Sequence, residues 1–181
     1  MDKLNVSQQG IENSPDRPGM SARHALIQKR LRDEGDKLLA LFEALTPAQW
    51  DIVIYTDGMT WTIKDLLAHQ VSAEKEFQFY GRDILQGGTG APEGFNIDAF
   101  NNQAVAQWAD RSASDLLCDL RATRQDTIGL VATIQEEEFK LRGRHPFFGS
   151  ISIEDMFKLI YRHNMMHARD IRKVLEGKDH E

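Results

Sequence analysis

Apolar side chains recur along this chain with a period near 3.6 in four long stretches, and each stretch predicts an amphipathic helix. The first runs from Ser21 to Leu45 and carries Leu26, Ile27, Leu31, Leu38, Leu39, Leu41, Phe42 and Leu45, with Gly35 as a weak point. The second opens at Thr62 and ends near Leu85; its inward line reads Leu66, His69, Ala73, Phe77, Tyr80 and Ile84. The third begins at Ser112 and continues to about Gln135 through Leu116, Leu117, Leu120, Thr123, Thr127, Leu130, Val131 and Ile134. The fourth begins at Ser152 and fades at Gly177, with Ile153, Met156, Phe157, Ile160, His163, Asn164, His167, Ile171 and Val174 on one face.

Start signals agree with these limits. Thr62 is followed three residues later by Asp65, Ser112 by Asp115 and Ser152 by Asp155, the spacing of a capping box. Thr46-Pro47-Ala48-Gln49 restarts a short helix after the first long one. Trp50, Ile52, Val53 and Tyr55 then form an irregular apolar link, and Trp61 stands where it can staple the second helix to Leu66. Residues 86–94 are a glycine-rich loop without the order of a phosphate-binding loop, and a shorter helix is expected over Phe95–Ala109. Phe139–Ser150 reads as a connector whose Phe147-Phe148 pair covers an end of the core. No segment alternates with period two for long enough to make a strand. The expected fold is therefore all-α, a four-helix bundle. The connection between the second and third helices is roughly 27 residues, a length that suits a crossover between parallel helices.

Composition narrows this only a little. The chain has 181 residues, 41% apolar and 28% charged, enough for one domain with a substantial core. Residues 1–20 read as a mobile tail, 21–176 as the bundle and 177–181 as a short C-terminal tail. A net charge of −6 and no clustered Lys and Arg argue against nucleic acid as a partner. No apolar run is long enough to span a membrane, and no secretory leader is evident. The single cysteine, Cys118, rules out an internal disulfide, suits a cytoplasmic location, and reads as a small buried or half-buried thiol.

Candidate chemistry lies in the apolar stripes. His163 and His167 are four residues apart, so both imidazoles leave the same side of the helix one turn apart. They stand on the face that should point inward, as does His69 in the second helix. Buried imidazoles without partners cost roughly 1–3 kcal/mol each. Three of them from two helices fit either a three-nitrogen metal site with open positions or core histidines bonded to side chains or water. The three come closest to level if the second and fourth helices are antiparallel. His24 reads as a partly exposed helix residue, and His145, before Pro146, as an extended connector residue rather than a ligand. Arg162 and Arg169 flank the histidines and read as solvated.

The run Trp61-Thr62-Ile63-Lys64-Asp65-Leu66-Leu67-Ala68-His69, followed far downstream by His163, His167 and Asp170-Ile171, resembles the DinB/YfiT-like family of bacterial helix-bundle metalloproteins over roughly residues 21–176. The resemblance implies an up-down-down-up bundle and a metal held by His69, His163 and His167. Many members carry Gln where Asp170 stands here; Asp170 is open to three readings, as a partner that orients an imidazole, a weak ligand, or a surface ion-pair residue. Members include bacillithiol- and mycothiol-dependent S-transferases and a mycothiol-dependent maleylpyruvate isomerase. The resemblance thus implies a metal-dependent enzyme in which a divalent ion activates a low-molecular-weight thiol (S-transferase) or water (hydrolase) against a small-molecule substrate. Zinc is the first expectation for three imidazoles, with nickel or iron as alternatives. A non-catalytic metal-binding stress or ligand-binding bundle and a metal-free bundle are the competing readings, and a homodimer is compatible with any of them.

Overall fold

A computed structural model of the protein describes residues 21–57 and 60–177. The N-terminal tail expected over residues 1–20 lies outside the described residues, as does the C-terminal tail from residue 178. Four long helices are present: α1 (Ala22–Glu43), α2 (Ile63–Leu85), α4 (Ala113–Thr133) and α5 (Ile153–Leu175). A shorter α3 (Ile97–Gln107) occupies part of the long connection between α2 and α4. The fold is mostly helical, but it is not all-α. Two antiparallel hairpins interrupt it, β1 (Val53–Tyr55) with β2 (Trp61–Thr62), and β3 (Arg142–His145) with β4 (Gly149–Ser152). Strands of two to four residues are too short to display a period, so hydrophobic alternation could not reveal them.

The helix starts follow the capping signals. Thr62 accepts from the Asp65 amide while the Asp65 carboxylate takes the Thr62 amide, and Ser112 and Ser152 accept from the amides of Asp115 and Asp155. At α1 the capping box is closed by a histidine: Ser21 accepts from the His24 amide, and His24 Nδ1 accepts from the Ser21 amide at 3.2 Å. The other ring nitrogen of His24 stands 2.7 Å from the Ile134 carbonyl, so His24 is buried rather than partly exposed. Cys118 departs the other way and is exposed on α4.

The buried apolar residues fall into two clusters. One gathers Ile27, Leu31, Ile84, Ile128, Phe139, Phe157 and Ile160. The other gathers Leu38, Phe42, Leu66, Val71, Leu116, Leu120 and Ile171. A polar layer belongs to neither. In it Arg124 on α4 donates from Nε and Nη2 to the two carboxylate oxygens of Glu74 on α2, both at 2.7 Å. The same guanidinium donates to the Leu31 carbonyl of α1 and the Asn164 side chain of α5, each at 2.5 Å. Asn164 donates onward to Gln70, and Thr127 donates to Glu74 at 2.6 Å. One residue therefore ties all four long helices together. Gly35 makes this layer fit, because a Cβ there would strike the Arg124 guanidinium. The apparent weak point of α1 is a clearance for arginine.

Candidate metal centre and cavity

The polar layer adjoins the three histidines that the sequence places inward. His69 sits in the second turn of α2, and His163 and His167 sit one turn apart on α5. Their Nε2 atoms converge: His163 lies 3.1 Å from His69 and 2.9 Å from His167. One ligand atom from each of the three falls within 4.8 Å of the others. Burial holds all three rings neutral. It presses His163 down to about 4, with the nearby His145 adding to the effect, and sets His69 and His167 well below 6.5, with His163 as a further cause for each.

The donor set fits a divalent cation. Neutral imidazole nitrogen is a preferred ligand of zinc, nickel and iron. Two nitrogens sharing an ion at about 2.0–2.1 Å stand roughly 3 Å apart, close to the separations found here. The protonation pattern around His167 also leaves its Nε2 lone pair free. The Tyr55 hydroxyl donates to Asp170 Oδ2 at 2.8 Å, since a carboxylate only accepts. Tyr55 has one proton, so its oxygen accepts from His167 Nδ1–H, also at 2.8 Å. Asp170 thus accepts from Tyr55 and also stands 3.3 Å from Arg169, while the three converging nitrogens are those of the histidines. Burial, and then the bond to Asp170, raise the Tyr55 pKa above its ordinary value. Replacing Tyr55 with Phe is expected to keep the fold and cost roughly 10–100-fold in metal affinity; competition against a chromogenic chelator would measure it, and an unchanged affinity would remove Tyr55 from the site.

The histidines face a cavity of about 660 Å³. Its walls are mainly aromatic and come from the helices, the α2–α4 connection and both hairpins: Trp61, Phe77, Tyr80, Phe95, Phe100 and Phe148 among them. Trp61 is more than a staple, for its ring lies 5.0 Å from that of His69. Phe147 and Phe148 are exposed and wall the cavity instead of capping the core. Arg162 also borders the cavity, with Glu76 as the carboxylate on the same wall, whereas Arg169 reaches Asp170 at 3.3 Å. Tyr55, Trp61 and His145 were missed as site residues because each is carried by a short hairpin. The aromatic character of the link from Trp50 to Trp61 was the hint of Tyr55 and Trp61.

Burying imidazoles in neutral form makes the metal-free protein sensitive to acid. The ordinary histidine value is 6.5, and the folded-state values lie below it, about 4 for His145 and His163. The unfolded chain therefore binds protons first as the pH falls. This contribution to stability is fully present above about pH 6.5 and is lost progressively toward pH 4. The melting temperature of chelator-treated protein should drop by several degrees or more between pH 7.5 and pH 5. A flat profile over that interval would mean the rings are not buried neutral.

A family model for the DinB superfamily matches residues 30–171, and the chain belongs to that superfamily. Solved structures agree with the fold. YfiT from Bacillus subtilis, described as a probable metal-dependent hydrolase with an unusual four-helix bundle topology, is 20% identical with a TM-score of 0.69, over 93% of this chain and 97% of its own. The mycothiol-dependent maleylpyruvate isomerase is 14% identical with a TM-score of 0.66, over 84% of this chain and 63% of its own. The colibactin self-resistance protein ClbS, crystallised with double-stranded DNA, is 15% identical with a TM-score of 0.64, over 83% of this chain and 95% of its own. Comparison with curated proteins returns no match.

The ClbS complex corrects the exclusion of nucleic acid drawn from composition. Net charge averages over the whole surface, whereas phosphate contacts depend on local placement of basic groups, so a charge of −6 does not exclude a nucleic-acid partner. No helix among the described residues is long and apolar enough to cross a membrane.

Proposed function

We propose that the protein is a metal-dependent enzyme in which His69, His163 and His167 hold one divalent ion, zinc first and nickel or iron as alternatives, facing the cavity where a small molecule binds. The observation that carries this reading is the convergence of three neutral imidazole nitrogens at the wall of an aromatic cavity. The unit that performs this is the bundle of residues 21–176, in an up-down-down-up course. Contact order supports that course. Glu74–Arg124 and Gln78–Thr127 advance together along α2 and α4. Leu31–Arg124 and His24–Ile134 run in opposite order along α1 and α4, as do His69–His163 and Gly81–Phe157 along α2 and α5.

The ion supplies Lewis acidity, which brings the pKa of a bound water or thiol toward neutrality. The protein's own groups do the rest. Tyr55 and Asp170 hold His167 in the tautomer that presents Nε2. The aromatic walls seat an apolar substrate and keep bulk water from the reacting group. Cys118 lies exposed on α4 and does not line the cavity, so the chain brings no thiol nucleophile of its own. The apolar walls favour hydrolysis of an apolar substrate, while transfer of a low-molecular-weight thiol uses the same three donors.

The test is turnover of naphthyl and nitrophenyl esters and amides, and of thiol transfer to an aromatic chloride, by metal-free protein and by protein reloaded with zinc, nickel or iron. Turnover that appears only on reloading supports the enzyme. A reloaded protein inert toward every probe supports the alternative, a non-catalytic metal-binding bundle.

A further inference from the structure

His145 is the one imidazole at the cavity that the three-nitrogen cluster does not use. It closes β3 and is 6% exposed. The turn after it folds back so that the amides of Phe147 and Phe148 both donate to His145 Nδ1, at 3.0 and 3.2 Å. A nitrogen that accepts N–H bonds keeps its lone pair, so in the neutral ring the proton resides on Nε2. Among the described residues Nε2–H has no hydrogen-bond partner. The ring is held between Phe77, at 5.3 Å, and Phe148, at 5.2 Å, and it borders the same cavity as the three histidines.

The support beneath it is firm. Ala91 donates to the Arg144 carbonyl and Arg144 donates to the Thr89 carbonyl, both at 2.8 Å, so the glycine-rich loop is laced to β3. Gly90, at φ +78°, is packed so closely on Arg144 that a Cβ would meet its backbone. The donor is therefore fixed both in tautomer and in place, which is what recognition of a single acceptor atom requires.

We propose that His145 is the substrate-holding donor of this cavity: its Nε2–H binds an uncharged oxygen acceptor, a carbonyl above all, of an otherwise apolar, aromatic-sized small molecule lying against Trp61, Phe77 and Phe100. The inference rests on reading the cavity as a substrate site, and it is independent of which ion the other histidines hold. The side chains of the wall offer an anion little, because Arg162, the cationic side chain among them, is exposed, and aromatic rings do not replace the hydration of a charge. Burial keeps the His145 pKa near 4, so at neutral pH the donor is an imidazole N–H, not an imidazolium.

The probes are 2-acetylnaphthalene and 2-ethylnaphthalene, which share a shape and differ by one carbonyl oxygen. The variant is His145→Asn, whose side-chain oxygen can take the same turn amides as an Asx turn while nothing reaches the place of Nε2. Wild-type protein should bind the ketone about tenfold more tightly than the hydrocarbon, the yield of one net hydrogen bond. In His145→Asn that preference, taken as the ratio of the two affinities, should shrink to within about twofold. A full ketone preference in the variant, or none in the wild type, overturns the proposal. Should the variant fail to fold, nitrogen NMR of histidine-labelled wild-type protein decides. A proton on Nε2 whose resonance moves with the ketone and not with the hydrocarbon supports the assignment, and a proton on Nδ1 overturns it. Zinc content measured on the same samples reports separately on the three-histidine cluster, so the failure of one reading is not confused with failure of the other.

Discussion

Arg124→Met should destabilise the protein by about 3–5 kcal/mol, because it removes one partner of a buried ion pair and leaves the other charged and dry. Arg124 and Glu74 are both nearly inaccessible, with side chains 5% and 1% exposed. After the substitution, Glu74 keeps only the Thr127 hydroxyl, and the Leu31 carbonyl and Asn164 lose their donor. The whole effect is not the worth of the pair. The double change Arg124→Met with Glu74→Met removes both charges and should cost much less than the sum of the two singles. Denaturant midpoints for the four proteins measure this. A single-variant loss below about 1 kcal/mol would mean that water or a local rearrangement reaches Glu74 and that the layer does not bind the four helices as described.

His163→Ala should have the opposite profile, with little effect on the metal-free fold and a large one on metal and activity. His163 is half-buried on the cavity side of α5, and alanine is the best helix former. Its Nε2 is the atom nearest both other rings. Removing it leaves two donors on two helices, so the ion should be lost on dilution or dialysis and metal-dependent turnover should fall by at least about 100-fold. Chelator-treated wild type and variant should unfold within roughly 1 kcal/mol of each other. A variant that turns over normally would place the chemistry elsewhere in the cavity. One that cannot fold without metal would recast the three histidines as a structural site.

The long helices were legible because twenty or so residues give a 3.6 period room to declare itself, and because Thr62, Ser112 and Ser152 announce the starts with side chains chosen for capping. The three histidines were legible for the same reason: they interrupt apolar stripes, and position on a helix face survives without tertiary information. Tyr55, Trp61 and His145 were not, because strands of two to four residues have no readable period and a partner can be distant in sequence. His167, for instance, is met by Tyr55 from 112 residues away. His24 was misjudged because its acceptor, the Ile134 carbonyl, belongs to the end of another helix. Gly35 shows the same limit, since its reason is a guanidinium supplied by α4. Composition misled once, over nucleic acid, where a total charge was taken to speak for a surface.

Elemental analysis of the protein, produced without a histidine tag and dialysed free of loose metal, decides whether the three histidines hold an ion. The wild type should carry close to one zinc, nickel or iron per chain, removed by chelator, restored by reloading and absent from His163→Ala. No bound metal in the wild type, before or after reloading, would contradict this and leave three neutral imidazoles as a packing feature of the bundle.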